Sequence, residues 1–170
     1  MTKYQFKLWV GIGLLSLSSG LATQGAMAAD GACRGKITGA INLDFDCTAF
    51  AAFEVKNGQT GISLQGVNLP AGYERLHLAS VFKGELGTGT YDKGNLENYG
   101  DILMIQQPSM QYFVNDSNQG SGAHAVVISA ISEAGVSDKG KLYTIHGSFD
   151  ATLTQMYPEG GSTVNVHIDF

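Results

Sequence analysis

Apolar and polar residues alternate with a period of two along most of this chain, the spacing that puts oily side chains on one face of a strand. Ile37, Ile41, Leu43 and Phe45 share one face of a first strand or hairpin. Ala52-Phe53-Glu54-Val55 leads into Asn57-Gly58, a dipeptide suited to a tight hairpin turn, and Ile62-Ser63-Leu64 follows. Leu69-Pro70-Ala71-Gly72 reads as a loop. Leu76, Leu78, Ser80 and Phe82 then alternate with Arg75, His77 and Ala79 in a central strand.

Gly84 to Asn98 is rich in turn residues and surrounds a short strand at Thr88 to Tyr91. Asp101 to Gln106 and Met110 to Val114 are two further strands, separated by Pro108, which a central ladder does not tolerate. Asn115 to Gly122 is a polar connection, and Ala123 to Ser132 a β-branched run. The clearest alternation comes last. Tyr143, Ile145, Phe149 and Leu153 share a face, with Gly147 and Ala151 as small gaps between them. After a turn at Tyr157 to Gly161, Val164, Val166, Ile168 and Phe170 alternate to the final residue. Only Cys47 to Ala52 suits a single helical turn. The pattern predicts an all-β domain, an antiparallel sandwich with a barrel as the alternative.

Residues 1–28 break this pattern and read as an export leader. Lys3 and Lys7 precede an apolar stretch from Leu8 to Leu21, and Ala26-Met27-Ala28 forms a small-residue cleavage site. The working chain is then residues 29–170, one β domain in the periplasm or outside the cell. An uncleaved anchor is the alternative. A lipoprotein fits less well, because Asp30-Gly31-Ala32 precedes Cys33 where a lipoprotein box needs apolar and small residues.

The leader carries two of the ten basic residues and none of the fifteen acidic ones, so the mature charge is 8 minus 15, or −7. A chain this acidic, with no basic run, repels phosphate backbones and anionic headgroups, which argues against nucleic acid and membrane surfaces as partners. No second apolar run is long enough to cross a bilayer as a helix. The two cysteines, in an exported chain, predict a Cys33–Cys47 disulfide. A straight strand would hold them roughly 45 Å apart, so the bridge requires a reversal near Thr38-Gly39-Ala40. Closing so short a loop contributes roughly 3 kcal/mol.

The familiar catalytic signatures are missing: no G-x-S-x-G, no H-E-x-x-H and no phosphate loop. No cofactor is expected. His77, His146 and His167 occupy polar positions of alternating strands, and His124 begins a strand, so all four are expected to be at least partly exposed. The candidate polar cluster is His146, Asp150, His167 and Asp169 on the last hairpin. Two registers satisfy its hydrophobic faces. One sets His146 opposite Asp169 and His167 opposite Ser148; the other sets His167 opposite Asp150 and Ser148 opposite Asp169. Either puts a histidine beside a carboxylate, an arrangement that serves strand pairing as readily as catalysis. A metal site would need more ligands than these. Asp116, Asn118 and Gly120 resemble part of a calcium loop but lack its closing acidic residue. Tyr73, Tyr91, Tyr99, Tyr112 and Phe113 are candidates for an aromatic sugar platform.

Gly89-Thr90-Tyr91, Val127-Ile128-Ser129 and the run Ile145 to Leu153 together resemble secreted bacterial β-sandwich domains of uncharacterised function. The resemblance covers about 65 residues of the second half and implies a fold without assigning a catalytic residue. Three classes of function follow. The first, favoured here, is a non-enzymatic module binding an envelope or extracellular protein or glycan. The second is a pilin-like fibre subunit with Ile37 to Phe45 as a donor strand; the predicted disulfide opposes it. The third is a hydrolase using His146 and His167, with no substrate indicated.

Overall fold

A computed structural model describes residues 31–54, 57–116 and 122–170; the leader and most of the polar connection after Asp116 lie outside the described residues. Ten strands follow in order: β1 (Gly31–Gly39), β2 (Leu43–Glu54), β3 (Gln59–Val67), β4 (Tyr73–Lys83), β5 (Gly89–Asp92), β6 (Leu96–Ile105), β7 (Gln111–Asp116), β8 (His124–Val136), β9 (Gly140–Tyr157) and β10 (Thr163–Asp169). The described residues contain no helix, and every strand pairing is antiparallel.

Pairing runs β10-β1-β2-β3-β4-β6-β7-β9 and returns to β10, while β8 and then β5 extend from β9. The antiparallel sheet therefore closes on itself in a ring-like manner. The long strand β9 makes this closure possible by changing partners along its length. Along one edge it meets β2 at Gly140 to Tyr143 and then β10 at Ser148 to Thr154; along the other it meets β8 as far as Ala151 and then β7 at Thr154 to Tyr157. Gly147 is one of the gaps in its hydrophobic stripe, and a Cβ there would collide with the Val127 carbonyl of β8.

The period-two pattern is realised as buried stripes. Leu76, Leu78, Ser80 and Phe82 of β4 point inward, as do Ile145, Phe149 and Leu153 of β9 and Val164, Val166 and Ile168 of β10. They join Ile37, Leu64, Leu103, Phe113 and Val126 in one hydrophobic cluster. Burial of this apolar surface is the main force holding the ring closed.

Chain reversal at Gly39, with φ +108°, sets Ile37 opposite Leu43 and Cys33 opposite Cys47. The disulfide joins the two cysteines across this hairpin, with their Cα atoms 4.8 Å apart. The Ile37–Phe45 segment is thus a folded hairpin, paired outward to β10, and not an extended arm. The expected helical turn at Cys47 to Ala52 is instead the middle of β2. Cys47, Ala49 and Ala51 alternate into the core while β3 hydrogen-bonds one edge, and tertiary pairing overrides the alanines' helical preference. The Asn57-Gly58 hairpin forms as read: the Gly58 N–H donates to the Glu54 carbonyl at 2.9 Å, and Gly58 has φ +61°.

Candidate functional site

The last hairpin adopts the second of the two possible registers, pairing His167 with Asp150 and Asp169 with Ser148. His167 Nδ1 lies 2.7 Å from Asp150 Oδ1, and His167 Nε2 lies 3.4 Å from Asp169 Oδ1. The Asp150 hydrogen bond, with both carboxylates adding their charge, raises the His167 pKa above 6.5. His146 stays outside this group. It stands on the exposed face of β9, four residues from Asp150, in register with Ala130 of β8.

Neighbouring strands extend the cluster into charged rows. Asp44 of β2, Lys36 of β1, His167 and Asp150 lie side by side, as do Asp46, Arg34, Asp169 and Ser148. Arg34 and Asp46 form an exposed ion pair at 3.6 Å. Opposite charges alternate across the strands, which supports pairing on a solvated face. No group of three or more His, Cys, Asp or Glu among the described residues is arranged to hold a metal ion. The calcium-like loop cannot be assembled from them either, since Asn118 and Gly120 lie outside them.

His124 departs from expectation: it is 2% exposed and lies in the core. Its Nε2 is 2.8 Å from Ser80 Oγ, and its Nδ1 is 2.8 Å from Asp101 Oδ2. Asn115 Nδ2 donates to the same carboxylate at 3.2 Å and to the Ala123 carbonyl at 2.9 Å. Tyr99 stacks on the imidazole with centroids 4.4 Å apart, and Phe149 meets it edge-on at 4.8 Å. Burial pushes the Asp101 pKa up, against the opposing hydrogen bonds from His124 and Asn115.

A serine–histidine–aspartate chain of this geometry is the arrangement that activates a nucleophile. Here Ser80 and Asp101 are 1% and 0% exposed, so the chain is sealed between strands. What it does in the structure is tie β4, β6, β7 and β8 together through one connected polar path, in which Asp101 Oδ1 and Asn115 Oδ1 are buried without a hydrogen-bond partner. Period-two reading had put Ser80 on the inward face of β4. The residues that meet it come from strands distant in sequence, so no local spacing announces the cluster.

The outer face of β2, β3, β4, β6, β7 and β9 has a different character from the charged rows. Cross-strand register aligns Thr48, Gln65, His77, Ile102, Val114 and Thr154 in one row. The row on one side runs Phe50, Ser63, Ala79 and Gly100, and beyond it Ala52, Gly61, Val81 and Asn98. On the other side stand Arg75, Met104, Tyr112 and Tyr157. Gly100 is in turn in register with Asp116 of β7, so Arg75 and Asp116 are the two charged residues in these four rows. His77 stays inclined to neutrality, because burial and the nearby Arg75 lower its pKa below 6.5, and its Nε2 lies 2.8 Å from Ser63 Oγ.

Charged groups return at the margins. Glu54, Gln59 and Lys83 form the row at one end, where Gln59 donates to Glu97 at 2.8 Å. At the opposite end Gln106 donates to Glu74 at 2.8 Å. Beside Tyr157, 57% exposed, Met156 near the end of β9 and Met110 just before β7 are also exposed. The five residues considered for an aromatic platform do not form one. Tyr99 and Phe113 are buried, Tyr73 and Tyr91 pack against the core, and Tyr112 alone joins the outer face.

Comparison with known protein families, with curated proteins and with solved structures finds no match for this chain.

Proposed function

We propose that this protein is an exported, non-enzymatic module that binds an envelope or extracellular protein through the charge-poor outer face of β2, β3, β4, β6, β7 and β9. One observation carries the reading: the outward side of an antiparallel sheet, ordinarily polar, here carries only Arg75 and Asp116 as charged residues in four rows over six strands and is rimmed by charged groups. Protein interfaces have the same anatomy. Their cores lose Asp, Glu and Lys and gain Tyr, Met and Arg, while their rims stay polar. Tyr112, Tyr157, Met104 and Arg75 supply those residue types at one end of the face. In a chain of net charge −5, this face also presents least repulsion to another acidic protein.

Export is supported by the leader-like residues 1–28 and by a disulfide, a bond that persists in oxidising compartments. Cleavage after Ala28 would give a mature chain beginning at Ala29. The pilin-like alternative finds little support, since the would-be donor segment is paired on both sides and cross-linked.

The test is affinity capture from the envelope fraction with three baits: wild type, Ile102→Glu, and Lys36→Glu in the charged rows. A protein retained by wild type and by Lys36→Glu, and lost with Ile102→Glu, is the expected result. Equal retention by all three overturns the assignment of the face. Labelling of Ser80 by a fluorophosphonate would overturn the non-enzymatic reading, because the buried serine would then be a reachable nucleophile.

A further inference from the structure

On the charged side of the molecule, we propose a second site: a depression among β1, β9 and β10 that binds one neutral sugar ring through its hydroxyl groups. It goes beyond the protein-binding reading and shares no residue with that face. Its walls come from two cross-strand rows, Lys36–His167–Asp150 and Thr38–Asn165–Thr152. Ala123 adds exposed apolar surface at its edge, while Ala151 and Val166 also line it but, at 3% and 1% exposure, keep their side chains in the core. The cavity volume is about 210 Å³, below the ~300 Å³ at which drug-sized pockets begin. It has room for one ring.

The hydrogen bonds already made fix what each side chain offers. Thr152 Oγ1 donates to Asn165 Oδ1 at 2.8 Å, which turns the Asn165 amide so that its Nδ2 is presented as a donor. His167 Nδ1 engages Asp150 Oδ1 at 2.7 Å, which orients the carboxylate and leaves Oδ2 as an acceptor. Lys36 brings a cationic donor, and the Thr38 hydroxyl can both donate and accept. Donors and acceptors therefore alternate over a few ångströms.

This alternation selects the ligand class. An anion drawn to Lys36 meets the Asp150 carboxylate, and a cation drawn to Asp150 meets Lys36 and the His167 ring. A hydroxyl group donates to one neighbour while accepting from another, so adjacent hydroxyls on a ring satisfy both rows at once.

The test is nuclear magnetic resonance titration of the ¹⁵N-labelled mature protein with four separate probes: glucose, galactose, mannose and N-acetylglucosamine. Saturable shifts of the Thr152, Asn165 and Lys36 amides at millimolar concentration of at least one sugar are expected. Asn165→Ala and Asp150→Asn should each weaken that binding by about tenfold or more. Both positions are exposed, and an unchanged amide spectrum elsewhere will establish that the variants fold. Ile102→Glu should leave the sugar titration unaltered whatever it does to protein capture, which separates failure of this site from failure of the other. The assignment is overturned if no sugar produces saturable shifts at these amides. It is also overturned if sodium sulfate or choline shifts them more strongly than any sugar.

Discussion

His124 Nδ1 lies 2.8 Å from Asp101 Oδ2 with both side chains wholly buried, which makes this pair the most consequential polar contact in the core. Removing one partner strands the other among Tyr99, Phe149 and the strands around them. Asp101→Ala is expected to cost about 3–5 kcal/mol of stability, the usual penalty for breaking a buried pair. Ser80→Ala, which removes one hydrogen bond and little volume, should cost about 1 kcal/mol. Urea denaturation of the two variants would measure both, and a loss below ~1 kcal/mol for Asp101→Ala would contradict this account.

The Cys33–Cys47 bridge should act on the unfolded chain more than on the hairpin it spans. Replacing both cysteines by serine is expected to lower stability by about 2–4 kcal/mol. The same loss should follow when wild type is reduced with dithiothreitol under denaturing conditions and refolded without oxidant. Urea midpoints recorded with and without reductant provide the comparison.

His77 makes the outer face sensitive to acid. Its pKa is lowered in the folded protein, by burial first and by Arg75 second, so the unfolded chain takes up the proton more readily. Its contribution to stability is therefore present above 6.5 and is lost as pH falls below that value. Protonation also puts a charge in the centre of the face. Binding of the captured protein should weaken as pH drops below 6.5, and His77→Gln should flatten that dependence in a pH series of capture experiments.

His167 behaves in the opposite sense. Its pKa is raised above 6.5 by the Asp150 hydrogen bond, so its contribution is complete below that value and disappears as pH rises through the folded pKa. The pair is half exposed, and its contribution is under about 1 kcal/mol. Proton resonances of the imidazole should titrate above pH 6.5 in wild type and move to lower pH in Asp150→Asn. An unchanged midpoint in the variant would show that the carboxylate is not responsible.

Gly147 is required by close approach. Its missing Cβ is where the Val127 carbonyl sits, so any side chain must push β8 away from β9. Gly147→Val is expected to destabilise by at least the ~1–3 kcal/mol typical of overpacking. Gly58→Asn, at a hairpin turn with open space around it, should be tolerated. Thermal unfolding of the two variants side by side is the measurement.

Period-two alternation was sufficient to determine the class of fold and most of its strands, because side-chain direction in a strand follows from local geometry. It placed Leu76 to Phe82 and Val164 to Phe170 correctly, and Asn57-Gly58 announced its own hairpin. The two-cysteine count led to the disulfide, and the disulfide in turn required the reversal found at Gly39. Contacts between strands far apart in sequence were decided only in three dimensions. His124 looked like an exposed strand start because nothing nearby reveals that Ser80 and Asp101 converge on it from β4 and β6. The hairpin register was one of two until the packing of Phe149 and Ile168 set His167 beside Asp150. The charge-poor face is a property of rows running across as many as six strands, and a row perpendicular to the chain leaves no periodic trace along it.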